Sequence, residues 1–152
     1  ENIQSKHLVG KRMEMSLEQD RTPALWRSFM PRLGEVAYRV GSDLVSMQRF
    51  DLEKGPVYAP GVPFEKWAAV EVSGFGDLPE GIEPYLLSGG KYAVFVHEGP
   101  ASTAYETFQY IFRRWLPDSE YELDDREHFE LLPADYRPDD PHAREEIWIP
   151  IK

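Results

Sequence analysis

Carboxylates and imidazoles are the groups through which a cysteine-free chain can do chemistry, and in this sequence they come closest together between Asp124 and Leu132. Within the run His128-Phe129-Glu130-Leu131-Leu132, the two-residue period of an extended chain puts His128, Glu130 and Leu132 on one side and Phe129 and Leu131 on the other. If Phe129 and Leu131 face the core, Glu130 is an ordinary solvated carboxylate, and on alternation alone this is slightly the commoner case. If the other side lies under helices, Glu130 is a carboxylate in apolar surroundings. Such a group costs several kcal/mol, takes up a proton, or waits for a partner that a ligand can supply. His128 with Asp124, Asp125 and Glu127 has the donor types of a metal site, but a solvated turn and strand explain these residues better. The other histidines, His7, His97 and His142, are scattered without helical i, i+4 spacing, and no metal or other cofactor is expected. No nucleophile elbow, phosphate-binding glycine loop or HExxH pair occurs, and nothing positions a Ser-His-Asp triad.

The second chemical resource is aromatic. Four Trp, eight Tyr and eight Phe among 152 residues form helical stripes at Trp26, Phe29, Met30 and Leu33, and again at Tyr105, Phe108, Phe112 and Trp115. Trp67 and Trp148 fall on strand-like segments. Core packing is the default role of all of them. An aromatic wall beside one carboxylate is also a good receptor for a flat or cationic organic molecule.

The elements that must position these residues read β-α-β-β, a Gly/Pro-rich linker over 74–84, then β-α-β-β. In the first half, 7–16 alternates as a strand. Thr22-Pro23 opens a helix with Thr22 as cap, Pro31 bends or shortens that helix, and 44–51 and 65–73 are strands. In the second half, 91–97 is a buried-type strand, Thr103 and Glu106 have capping-box spacing, Leu116-Pro117 closes the helix, and 122–132 and 146–151 are strands. The helices superpose at an offset of 82, with Trp26 over Phe108 and Met30 over Phe112. The expected fold is α+β: one domain over 1–152 with pseudo-repeats at about 5–74 and 85–152, a shared antiparallel sheet, two helices packed on it, and a pocket between the halves.

Composition narrows the partners. A net charge of −10 repels a phosphate backbone, so no direct nucleic-acid contact is expected. No apolar run is long enough to span a membrane, and zero cysteines fit a reducing cytoplasm. Oligomeric state is not legible.

The segments HLVGKRMEM, LWRSFMPRLGEV, KYAVFVHEGP, FQYIFRRWLPDSEYEL, HFELLP and EEIWIPIK, in this order and spacing, resemble the GyrI-like small-molecule-binding domain, the effector-binding half of some AraC-type and multidrug-sensing regulators. The resemblance runs from about His7 to the C-terminus. It implies a duplicated β-α-β-β fold and, at the position of Glu130, a glutamate that meets hydrophobic, cationic aromatic ligands. It further implies Trp26, Tyr105, Phe108 and Trp148 as pocket walls, with Trp67 a further candidate from its strand. Trp148 and Leu132 stand where tyrosines are common in the family. With no helix-turn-helix in these residues, the chain is similar to stand-alone effector-binding members. Relatives of that kind bind compounds, act on a protein such as gyrase, or hydrolyse cyclopropane-bearing toxins. In the hydrolase case Glu130 would be the general acid/base.

Overall fold

Apolar side chains at every second position build the strands, and where both faces of a strand are apolar the sheet must be covered twice. The computed structural model describes all 152 residues. Its strands are β1 (Asn2–Ile3), β2 (Lys6–Met15), β3 (Leu44–Phe50), β4 (Phe64–Val72), β5 (Glu83–Leu87), β6 (Gly90–Glu98), β7 (His128–Leu132) and β8 (Arg144–Pro150). Helix α1 (Thr22–Phe29) continues as a 3₁₀ turn over Met30–Glu35, so the backbone tightens just before Pro31. Helix α2 (Ala104–Tyr110) runs through a π turn at Ile111–Trp115 into the short α3 (Leu116–Asp118).

All eight strands join one antiparallel sheet in the order β1-β6-β8-β7-β3-β4-β2-β5. Its middle six strands are two copies of one arrangement, β2-β4-β3 and β6-β8-β7, meeting where β3 pairs with β7. Further signs of duplication lie in the side chains. Trp67 on β4 and Trp148 on β8 each donate Nε1–H to the glutamate two residues upstream, Glu65 and Glu146.

Only Ser88 and Gly89 separate β5 from β6, although these strands lie near opposite ends of the sheet order. Two residues span under about 10 Å, so the sheet has to curl until its ends meet. The curl gives the sheet an inner face filled by its own side chains. Leu8, Met47, Trp67, Leu87, Tyr92, Phe129 and Trp148 form a core there that no helix residue enters. Phe129 stacks on Trp148 with ring centres 5.3 Å apart, and Tyr92 meets Phe129 edge-on at 5.2 Å. The outer face carries the helices over two separate cores. Leu25 and Phe29 of α1 pack on Val9, Met15, Phe64, Ala68 and Leu132. Ile111 packs on Ala93, Ile147, Ile149 and Ile151, with Phe108 and Trp115 alongside.

Several local expectations are corrected. Thr22 does not cap α1; its hydroxyl points at Met15 Sδ (3.5 Å), and Asp20 Oδ1 accepts the Thr22 N–H at 2.9 Å instead. Thr103 does not form the capping box, because its hydroxyl donates to Pro100 O at 2.8 Å across a 3₁₀ turn. Leu116-Pro117 does lie in the last turn of the second helix, which stops at Asp118 before the extended Ser119. The strand expected from residue 122 begins only at His128, with Leu123 reduced to an isolated bridge to Ile151. Part of the expected linker is β5, an edge strand, the position that tolerates Pro84.

Candidate functional site

Register decides which face Glu130 occupies. Glu130 pairs with Ser46 of β3 and Ile147 of β8, while its neighbour Phe129 pairs with Met47 and Trp148. Paired residues point the same way. Phe129 therefore belongs to the inner core, and Glu130 lies on the helix-bearing outer face with Ile147. Both faces of β7 are cored, so Glu130 is 8% exposed. The turn before β7 is pinned by Arg126, which donates to the carbonyls of Gly89 and Ile151, and by Glu127, which accepts the Ser88 N–H at 2.8 Å.

On the outer face, α2, the start of α1 at Thr22 and the loops before α1 and between β3 and β4 enclose a cavity of about 550 Å³, within the range of small-molecule sites. Its floor is Glu130 of β7, Gln48 of β3 and Lys66 of β4. Tyr105, Phe108 and Phe112 form one wall, and the β3–β4 loop closes it with Val57 and Tyr58. Gln48 Nε2 donates to Glu130 Oε1 at 3.1 Å across a separation of 82 residues, the same offset that aligns the two helices. The two halves thus present equivalent floor positions, one an amide and one an acid. Glu130 Oε2 and Gln48 Oε1 are buried and have no hydrogen-bond partner. The Lys66 ammonium lies 4.0 Å from Glu130 Oε1.

Burial dominates the electrostatics. It pushes the Glu130 carboxyl up to about 7; Lys66 and the Gln48 hydrogen bond oppose this, and Glu145 on β8 reinforces it. Glu145 is itself raised by burial. Burial, helped by the positive charge of Arg126, drops His128 to about 3, so its imidazole is neutral at physiological pH. Tyr58 holds a left-handed backbone at φ +58°, unusual for a residue with a side chain. Its ring centre lies 4.9 Å from Phe108, 5.3 Å from Phe112 and 4.7 Å from Phe50, and its hydroxyl is 3.4 Å from His128 Nδ1.

Of the residues singled out in the sequence, Glu130, Tyr105 and Phe108 come together at this cavity. Trp26, Trp67 and Trp148 do not line it. Trp26 packs against the α1 core, and Trp67 and Trp148 lie on the inner face, across the sheet. Gln48, Lys66 and Tyr58 also line the cavity and were not singled out in the sequence, while Phe112 joins from the second aromatic stripe. Lys66 had a visible signal, a lone cation in the alternating row Phe64, Lys66, Ala68, Val70, Val72. Tyr58 had none, because its place depends on the path of a Gly/Pro-rich loop.

The chain is thus a doubled β-α-β-β sheet with two helices on its outer face and an aromatic cavity floored by an acid. A sequence model of the GyrI-like small molecule binding domain matches residues 61–152, and the chain belongs to that family. It is 30% identical over 149 residues to the transcriptional regulator BrlR of Pseudomonas aeruginosa; the match takes in 95% of this chain but 51% of BrlR, so the chain spans about half the length of that relative. The structure of SAV2435 bound to tetraphenylphosphonium superposes with a TM-score of 0.73 at 18% identity, covering 100% of this chain and 92% of that one. EcmrR, seen in a cryo-EM complex with DNA, also superposes with a TM-score of 0.73, at 15% identity over 100% of this chain and 56% of its own. At those identities the likeness is one of fold.

Proposed function

We propose that the chain is a receptor for a hydrophobic aromatic small molecule bearing a cationic group, held against α2 with Glu130 as its counter-charge. One observation carries this reading: a buried carboxylate with an unpartnered oxygen at the base of an aromatic cavity of about 550 Å³. Lone pairs desolvated without a donor cost free energy, and a bound cation or N–H recovers it. Rings at Phe108 and Phe112, with Tyr105 at the mouth, supply flat apolar contact and a negative π face to the same molecule. The tetraphenylphosphonium bound to SAV2435, a protein of the same fold, supports the ligand class. The net charge of −10 also favours approach of a cation.

Calorimetric titration of tetraphenylphosphonium into wild type and Glu130→Gln tests the proposal. Wild type is expected to bind at least about tenfold tighter, the scale of one buried charge contact. Equal affinities would remove Glu130 from the site. A second reading is favoured by the position of the Glu130 carboxyl near 7, which suits proton transfer: hydrolysis of a strained, cyclopropane-bearing electrophile with Glu130 as acid/base. Turnover beyond one equivalent, abolished in Glu130→Gln, would select it over simple capture.

A further inference from the structure

Glu130 does not face the cavity alone. Lys66 is 7% exposed and shares the cavity floor. A lysine buried to hold a fold together needs an acceptor at hydrogen-bond distance, because the desolvation of both charges is recovered only with good geometry. Lys66 has none: its nearest carboxylate oxygen, Glu130 Oε1, is 4.0 Å away, an attraction without a hydrogen bond. Glu130 Oε2 and Gln48 Oε1 are unpartnered as well. The floor therefore offers three ammonium protons, a carboxylate oxygen and an amide oxygen, with the donors and acceptors set apart by a distance too long to satisfy one another.

A lipophilic cation seated on Glu130 would have its charge placed beside that of Lys66. A molecule with a cationic group and a carboxylate would instead meet an opposite charge at each end. The other charged groups do not cancel this preference. Asp20 and Arg113 line the mouth but are exposed to water. Glu145, on β8, adds negative charge near Glu130 and is within electrostatic reach of Lys66 as well, but it does not line the cavity.

We infer that Lys66 sets the specificity of the cavity: it selects zwitterionic aromatic molecules, with the cationic group on Glu130 and Gln48 and the carboxylate on Lys66, over lipophilic cations of the same size. This rests on the cavity being the ligand site and adds the class of molecule it prefers.

A matched pair of dyes separates the two. Rhodamine 123 is a cationic methyl ester; rhodamine 110 is the same fluorophore with the free carboxylate. Fluorescence-anisotropy titrations at pH 8 are expected to show wild type binding rhodamine 110 about tenfold tighter than rhodamine 123, the scale of one partly buried charge contact. Lys66→Met should reverse the order, and Lys66→Arg, which keeps the charge, should preserve it. Equal binding of both dyes by wild type, or a preference for rhodamine 123, overturns the role of Lys66 and leaves the cavity as a cation site. Failure of wild type to bind either dye or tetraphenylphosphonium overturns the cavity as a ligand site, and this inference with it. The wild-type comparison stands whether or not the methionine variant folds.

Discussion

Replacing Glu130 by glutamine should stabilise the protein, and the gain should grow with pH. A free glutamate ionises near 4.5, whereas burial raises the Glu130 carboxyl to about 7. Between those values the folded state keeps a proton that the unfolded chain has released. For an acid with a raised pKa, stability therefore falls as pH rises through this window and levels off above about 7. A shift of this size corresponds to roughly 3 kcal/mol when fully expressed. The opposing attraction of Lys66 and the Gln48 hydrogen bond are already contained in the shifted value. Glutamine mimics the protonated carboxyl in shape and leaves nothing to ionise. Urea unfolding of both proteins at several pH values reads the difference between them, which removes the similar but separate effect of Glu145. The two should be nearly equal at pH 4.5 to 5, with the variant ahead by about 2–3 kcal/mol at pH 8. A stability difference that does not change with pH would refute the reasoning, because it would mean that Glu130 is not a desolvated acid.

Tetraphenylphosphonium affinity should fall by about tenfold in wild type as pH drops through 7 and Glu130 takes up its proton, levelling off at the affinity of Glu130→Gln, which itself stays flat; titration calorimetry across pH 5–8 checks both profiles. Phe108→Ala should weaken that ligand by about tenfold, with a smaller fall in the urea midpoint than a fully buried aromatic would give, because Phe108 is only half-buried and forms the cavity wall. Trp148→Ala should cost about 3–5 kcal/mol of stability by emptying the stack on Phe129, while the folded fraction keeps its ligand affinity; unchanged stability would show that the inner face is not cored. Gly10→Val should destabilise strongly, since a Cβ at Gly10 would fall 2.0 Å from the carbonyl oxygen of Ala68; a thermal melt no lower than that of wild type would contradict the close approach of β2 and β4.

The doubled strand-helix order was readable because it rests on local periodicity. So was the equivalence of the two helices, whose offset reappears as the Gln48–Glu130 hydrogen bond. The side of the sheet that Glu130 would take was not readable. Alternation separates Glu130 from Phe129 but cannot say which of them meets the helices, and here the curl of the sheet gives each face its own core. The same curl explains why Trp67 and Trp148 are absent from the cavity: each lies in register with an inner-face residue, Met47 or Phe129. Lys66 and Trp67 are adjacent, so a strand that buries one on the inside must present the other to the cavity. The missing caps at Thr22 and Thr103 show hydroxyls finding a nearer partner than the helix N-terminus. Tyr58 reaches the cavity through one left-handed residue in a long loop, a detail that composition does not encode.

The most direct test of the account is a crystal structure of the protein with tetraphenylphosphonium. The account predicts the cation between the second helix and the β3–β4 loop, its charge facing Glu130 and its phenyl rings against Phe108 and Phe112. A cation seated instead on the inner-face aromatics, or in the polar surface groove formed by Arg12, Glu14, Arg49 and Glu65, would contradict it.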